Sequence, residues 1–87
     1  MEENKANVQY TQAFKPVDRS MEISDIIRRV YHALSVKGYN PINQLVGYII
    51  SEDPTYITNY NDARSLIARL DRYEILRELV SKYLEDK

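Results

Sequence analysis

Apolar residues recur at three- and four-residue steps along three stretches of the chain, the spacing typical of amphipathic helices. The first stretch follows Ser20, which can serve as an N-cap, and it ends at Gly38, which can adopt the left-handed conformation that terminates a helix. Asp25 and Arg29, one turn apart, predict an ion pair on its outer side. Its predicted buried face comprises Ile23, Ile26, Ile27, Val30 and Leu34.

Asn40 and Pro41 predict the start of a second helix, since asparagine can accept a free backbone amide and proline fits the first helical position. Asp53 and Pro54 repeat this arrangement and predict a further short turn over residues 54–57. The predicted buried face of the second helix comprises Ile42, Leu45, Val46, Ile49 and Ile50.

Residues 59–62 are polar and predict a hinge. A third apolar helix face follows, formed by Ala63, Leu66, Ile67 and Leu70. Asp71 followed by Glu74 resembles a capping box, so a last helix can begin there; one continuous helix over residues 62–84 is the alternative. Glu78 and Lys82 predict an exposed pair. The apolar positions of the last helix are Ile75, Leu76, Leu79, Val80, Tyr83 and Leu84.

Residues 1–19 are mostly polar and predict a flexible N-terminal tail, with residues 20–87 forming one helical domain. Within the tail, residues 8–11 alternate as an extended segment does, so the tail either adds to a partner's surface or is a frayed terminus. The predicted fold class is all-α, a compact bundle of four or five short helices.

Length and composition favour self-association. A core built from 87 residues gives a marginal monomer, and the absence of cysteine excludes disulfides and thiolate metal sites as additional supports. We therefore expect a homodimer. The chain has neither an apolar run long enough to span a membrane nor the charge order of a signal peptide, so we expect a cytoplasmic protein without membrane contact.

Catalytic chemistry finds no support in the residue pattern. His32 is the only histidine and has no local partner, and the two glycines cannot build a phosphate-binding loop. Asp53, Asp62 and Asp71 are explained as caps that accept free backbone amides. We expect no enzyme activity, no cofactor and no metal.

A small helical nucleic-acid-associated factor is the alternative function. Short helices joined by tight turns can form a helix-turn-helix, and Arg64, Arg69, Arg72 and Arg77 could mark one side of the last two helices. The net charge is −1, and residues 62–87 carry six basic and six acidic groups, so attraction to phosphate is weak. We expect no nucleic-acid binding.

The turn at residues 38–41 either only connects two helices or forms a surface that a partner contacts. Gly47, in mid-helix, costs about 1 kcal/mol relative to alanine, which predicts close approach of another backbone, from this chain or from a second copy. The candidate interface residues are Tyr39, Asn40, Pro41, Asn43, Gln44, Gly47 and Tyr48.

From about Glu22 to Leu84 the chain closely resembles the IreB family. The residues that carry the resemblance are Val30-Tyr31, Ala33-Leu34, the string from Lys37 to Gln44, Val46-Gly47-Tyr48, Asp53-Pro54, Tyr56, Asp62-Ala63-Arg64 and Leu66-Ile67. The resemblance implies a helical, homodimeric, cytoplasmic protein of low-GC Gram-positive bacteria. It also implies a substrate of a transmembrane Ser/Thr kinase with extracellular PASTA domains, acting as a negative regulator in cell-wall stress and antibiotic tolerance.

The tail departs from the family pattern at one position. The family's kinase substrates carry threonine where this chain has Asn7, and Thr11 is the only threonine in residues 1–19. The resemblance therefore makes Thr11 the candidate phosphorylation site.

Overall fold

A computed structural model describes residues 19–85; predictions that fall on residues 1–18 and 86–87, including Asn7, Thr11 and nearly all of the predicted tail, lie outside them. Within this range the chain is helical and has no strand. It contains α1 (Arg19–Val36), α2 (Pro41–Ser51), α3 (Ala63–Ile67) and α4 (Arg72–Glu85), with 3-10 turns at Pro54–Tyr56 and Tyr60–Asp62. The all-α prediction is confirmed.

The two ends of α1 differ in how well the sequence predicted them. Gly38 has a φ of +85° and donates to the carbonyl of Ser35, while the amide of Tyr39 donates to the carbonyl of Leu34, each at 3.0 Å. This pair of bonds is the Schellman arrangement, which confirms the predicted stop. The prediction of Ser20 as N-cap is wrong, because Ser20 lies inside the helix, where its hydroxyl donates to a side chain of α4.

Side-chain caps begin α2 and the turn that follows it, as the sequence predicted. The Oδ1 atom of Asn40 accepts from the amide of Asn43 at 3.1 Å, and Pro41 occupies the first helical position. Asp53 accepts from the hydroxyl of Thr55 at 2.7 Å and from its amide at 3.0 Å. These bonds, the hydroxyl first, lower the pKa of Asp53.

Asp62 does not cap α3, so that prediction is wrong. It has a left-handed backbone with a φ of +61°, and its side chain accepts no capping bond. Asn61, with a φ of +52°, is also left-handed. The polar hinge is thus a tight double turn in which backbone conformation, not a side-chain acceptor, starts the helix.

A reciprocal capping box starts α4 and excludes one continuous helix over residues 62–84. The carboxylate of Asp71 accepts from the amide of Tyr73 at 2.8 Å, and Glu74 accepts from the amide of Asp71 at 3.1 Å. Glu74 also accepts two 2.9 Å bonds from the guanidinium of Arg19, which joins the start of α4 to the start of α1. The bond from Arg19, then that from Asp71, lowers the pKa of Glu74.

The core is organised around α1, which packs against α2, α3 and α4. Ile57, in the connection after α2, is fully buried, although the sequence placed it only at the end of a short turn. Ala33 is also buried and was not predicted, because alanine is too small to stand out in an apolar pattern. The largest side chains that are essentially inaccessible are Val30, Leu34, Ile57, Ile67 and Ile75.

Much of the predicted burial on α2 and α4 is wrong for this chain taken alone. Only Leu45 of the five predicted α2 positions is buried, with Ile49 partly so, and only Ile75 of the six on α4. The apolar faces of both helices are wider than the contact that one neighbouring helix provides. The exposed members are Ile42, Val46, Ile50, Leu76, Leu79, Val80, Tyr83 and Leu84.

The two predicted surface ion pairs have opposite outcomes. Asp25 and Arg29 form the expected pair at 2.8 Å on the outside of α1. Glu78 and Lys82 do not pair: Glu78 is 7% exposed and faces α1 instead. The helical spacing was compatible with a pair, but Glu78 lies only three residues after the fully buried Ile75 and therefore turns toward the core.

Candidate functional site

The most distinctive surface of the described chain is an exposed apolar stripe along α4. Four large side chains at helical spacing form it, and it is hereafter called the α4 stripe: Leu76, Val80, Tyr83 and Leu84. Tyr83 is 85% exposed and Val80 51%. Val46 and Ile50 form a second exposed apolar row, on α2, and Ile50 is 74% exposed. Contiguous exposed apolar side chains of this kind mark interaction surfaces on soluble proteins.

The candidate interface residues of the turn and of α2 are divided between surface and structural roles. Tyr39, Asn40 and Asn43 are exposed, whereas Tyr48 is buried. Asn40 is committed to capping α2, and the side-chain amide of Gln44 donates to the carbonyl of Tyr56 at 3.0 Å. Pro41, like Asn40, belongs to the helix start. Whether these residues contact a partner stays a prediction.

The need for glycine at position 47 is explained by the side chain of Tyr56 in the same chain. A Cβ atom placed on Gly47 would lie 2.6 Å from Cδ1 and 2.8 Å from Cζ of that ring. Close approach at Gly47 was therefore predicted correctly, but the neighbour is an aromatic side chain and not a backbone.

Three of the four arginines that suggested nucleic-acid binding are committed to contacts inside the chain. Arg64 donates to the carbonyl of Ile57 at 2.8 Å, and Arg69 pairs with Glu22 at 3.3 Å. Arg72 pairs with Glu52 at 2.8 Å. A basic face of uncommitted side chains, the arrangement that contacts phosphates, is not formed by these residues.

Arg72 also explains how α2 can end where it does. Its guanidinium donates to the carbonyl of Ile49 at 2.8 Å, and Glu52 adopts a left-handed φ of +61°. Free carbonyls at a helix end need donors, and a cation there also complements the helix dipole. Arg72 thus ties the end of α2 to the start of α4.

A shallow hollow on α1 brings together basic side chains. Arg28, Arg29 and His32 line it together with Asn61 and Asp62. His32 is exposed, as expected for a histidine with no structural partner. Because Arg29 already pairs with Asp25 and Asp62 adds a negative charge, the hollow is a weak anion site at most.

Residues 19–85 offer neither a metal centre nor a membrane-spanning element. Within that range no three histidine or acidic side chains come together as a metal site would require. Nor does any helix there have both the length and the apolar character needed to cross a bilayer.

Taken together, residues 19–85 form a small helical protein whose prominent feature is an exposed apolar surface, a feature that often marks an interaction site. The family comparison agrees: the model of the IreB regulatory phosphoprotein family matches residues 9–85. The chain belongs to the IreB family. This membership supports a regulatory, non-enzymatic role.

Proposed function

We propose that this chain is a cytoplasmic regulatory protein that works as a homodimer without catalysing a reaction. We propose further that a PASTA-type transmembrane Ser/Thr kinase phosphorylates it, and that it restrains the cell-envelope stress response and antibiotic tolerance. Membership in a regulatory phosphoprotein family is the observation that carries the proposal.

The α4 stripe supports the homodimer. Four exposed apolar side chains on one helix face are expensive to leave in water, since each buried aliphatic or aromatic side chain contributes about 1.5–3 kcal/mol. Two copies related by a twofold axis can bury the same stripe against itself. A second α4 is therefore the simplest partner for this surface.

Phosphorylation of the N-terminal segment is the proposed means of regulation. A phosphate adds about −1.5 to −2 charges and three acceptor oxygens. Thr11 is the candidate acceptor, because Asn7 occupies the family's usual threonine position. The charge would change which protein surfaces the segment can approach, and the basic side chains Arg28 and Arg29 of α1 are candidates to receive it.

The test of this function is phosphorylation of the full chain by the kinase domain of a PASTA-type kinase, with sites mapped by mass spectrometry. We expect phosphate on Thr11 and its loss in Thr11→Val. The matched control is Thr58→Val, which removes a threonine from the connection between α2 and α3. If no residue of the N-terminal segment is phosphorylated in the wild-type chain, the kinase-substrate proposal is wrong.

A further inference from the structure

A groove of about 400 Å³ lies among α1, α2 and α4. Ser24 and Tyr31, two turns apart on α1, both line it, so the groove follows about 10 Å of that helix. None of the lining residues belongs to the α4 stripe, and the groove is therefore a second surface of the chain. Its apolar lining comprises Ile27, Tyr31, Ile42, Leu45 and Leu79.

The apolar lining of the groove is open to solvent. Leu45 is only 7% exposed, but Ile42 is 59% exposed, Tyr31 49% and Leu79 38%. Sites for small molecules enclose most of the ligand surface, whereas an open groove would leave much of a small ligand in water. An amphipathic helix suits an open groove, because it places one apolar face against the lining and keeps its polar face in water.

Two cations border the groove and have no partner in the described part of the chain. Arg28 and Lys82 both line the groove, both are exposed, and neither forms an ion pair or a hydrogen bond with the described residues. The carboxylates nearby are already committed or buried: Asp25 pairs with Arg29, and Glu78 is only 7% exposed. The accessible charge along the groove is therefore positive.

We propose that this groove binds an acidic amphipathic helix of a separate protein. Apolar side chains at i, i+4 and i+7 of that helix fill the groove, and acidic side chains beside them pair with Arg28 and Lys82. Charge complementarity determines the choice of occupant, because an acidic helix supplies the partners that these two cations lack. Two grooves facing each other across a twofold axis would instead bring each cation near its like-charged counterpart. The proposal rests on neither the phosphorylation nor the homodimer proposed above.

The probe is a synthetic helical peptide of about 18 residues, with leucine at i, i+4 and i+7 and glutamate at the flanking positions. Fluorescence anisotropy of the labelled peptide, titrated with the full chain, gives the Kd. We expect a Kd of about 100 µM or tighter at low salt, with weaker binding as added salt screens the ion pairs. Absence of saturable binding at about 1 mM chain would overturn the proposal.

A second peptide tests whether charge selects the occupant; it keeps the leucines and has lysine in place of each glutamate. The wild-type chain should bind the acidic peptide about tenfold or more tightly than the basic one, since two exposed ion pairs are exchanged for two repulsions. Equal binding of the two peptides to the wild-type chain would overturn the proposal.

Charge variants of the chain assign this preference to the two cations. Arg28→Glu/Lys82→Glu should reverse it, and Arg28→Gln/Lys82→Gln, which adds no negative charge, should remove it. The matched control is Lys37→Glu/Arg77→Glu, which changes the net charge equally at exposed positions outside the groove and should keep the wild-type preference. Circular dichroism checks that each variant is folded. An unchanged preference in the folded Arg28→Gln/Lys82→Gln variant would contradict the assignment.

Methyl NMR locates the bound peptide. The signals of Ile27, Leu45 and Leu79 should shift as the acidic peptide saturates the chain, because these side chains line the groove. Val80→Glu alters the α4 stripe and should bind the peptide within about threefold of wild type, since one exposed charge contributes little. Loss of binding in Val80→Glu would place the peptide on the α4 stripe and overturn the proposal.

Two further results would assign the groove to a different occupant. Peptide binding by Val80→Glu but not by a wild-type dimer would show that a second copy already fills the groove. Displacement of the peptide by micromolar dodecanoate would indicate a site for a small anionic amphiphile. We expect neither result, and each would overturn the proposal.

Discussion

The ring of Tyr56 lies against the backbone of Gly47 and occupies the space that a side chain at position 47 would need. Gly47→Ala gains about 1 kcal/mol of helix propensity but forces the ring to move, and overpacking typically costs about 1–3 kcal/mol. We expect the substitution to lower the free energy of unfolding by about 1 kcal/mol, measured by urea denaturation.

Removing the ring reverses the expected sign. In a Tyr56→Ala background the obstacle is gone, so Gly47→Ala should raise the free energy of unfolding by up to about 1 kcal/mol. The double-mutant cycle isolates this one contact. Equal effects of Gly47→Ala in both backgrounds would show that Tyr56 is not the reason for the glycine.

The capping box of α4 is expected to matter more than an exposed ion pair of similar appearance. Asp71→Ala removes the acceptor for the amide of Tyr73 and should cost about 1 kcal/mol of unfolding free energy. Asp25→Ala is the matched control, since it removes an exposed carboxylate paired with Arg29 and should cost at most about 0.5 kcal/mol. Equal losses in the two variants would contradict a specific role for the cap.

Stability should fall in acid partly through Glu74. Its pKa in the folded chain lies below the ordinary value of 4.5, so the unfolded chain binds its proton first as the pH falls. The stabilisation is thus complete above pH 4.5 and is lost as the pH passes down through the lowered pKa. Glu74→Gln lacks this titration.

The measurement is the difference in unfolding free energy between wild type and Glu74→Gln across a pH series. We expect the wild type to be more stable at neutral pH and the difference to shrink on acidification below the ordinary pKa of the carboxyl group. A difference that stays constant across the series would exclude the charge of Glu74 as the cause.

Local signals in the sequence predicted most of the helix ends, because each depends on a few adjacent residues, but they failed at Ser20 and Asp62. Gly38, Asn40 and Asp71 each terminate or start a helix as predicted. The prediction that Asp62 caps α3 failed because a double left-handed turn starts this helix in place of a side-chain cap. No local sequence pattern distinguishes such a turn from a capped helix start.

Burial on α2 and α4 was predicted less well, for a different physical reason. Helical periodicity shows that Val80 and Ile50 are apolar positions of a face, but it does not say which molecule covers that face. The same limit applies to Glu78, whose burial depends on contact with Ser20 across a long sequence separation. Predictions of the candidate surface therefore needed the packing of α1 to separate core from exposed positions.

The α4 stripe leads to the last prediction. Val80→Glu places a carboxylate at its centre, where a dimer contact would bury two such charges without partners. An uncompensated buried charge costs about 3 kcal/mol or more, which corresponds to a loss of at least about 100-fold in dimer affinity. The monomer should fold normally, because Val80 is 51% exposed in the single chain.

Light scattering over a concentration series measures the expected change, and circular dichroism checks the fold. We expect a wild-type dimer at micromolar concentration and a helical Val80→Glu monomer. Ser65→Glu, at an exposed position of α3, carries the same added charge and should remain dimeric. If the wild-type chain is itself a monomer, the stripe is left for a different partner and the homodimer proposal is wrong. If Val80→Glu dimerises as tightly as Ser65→Glu, the contact lies elsewhere on the surface, and the exposed turn residues Tyr39 and Asn43 become the next positions to substitute.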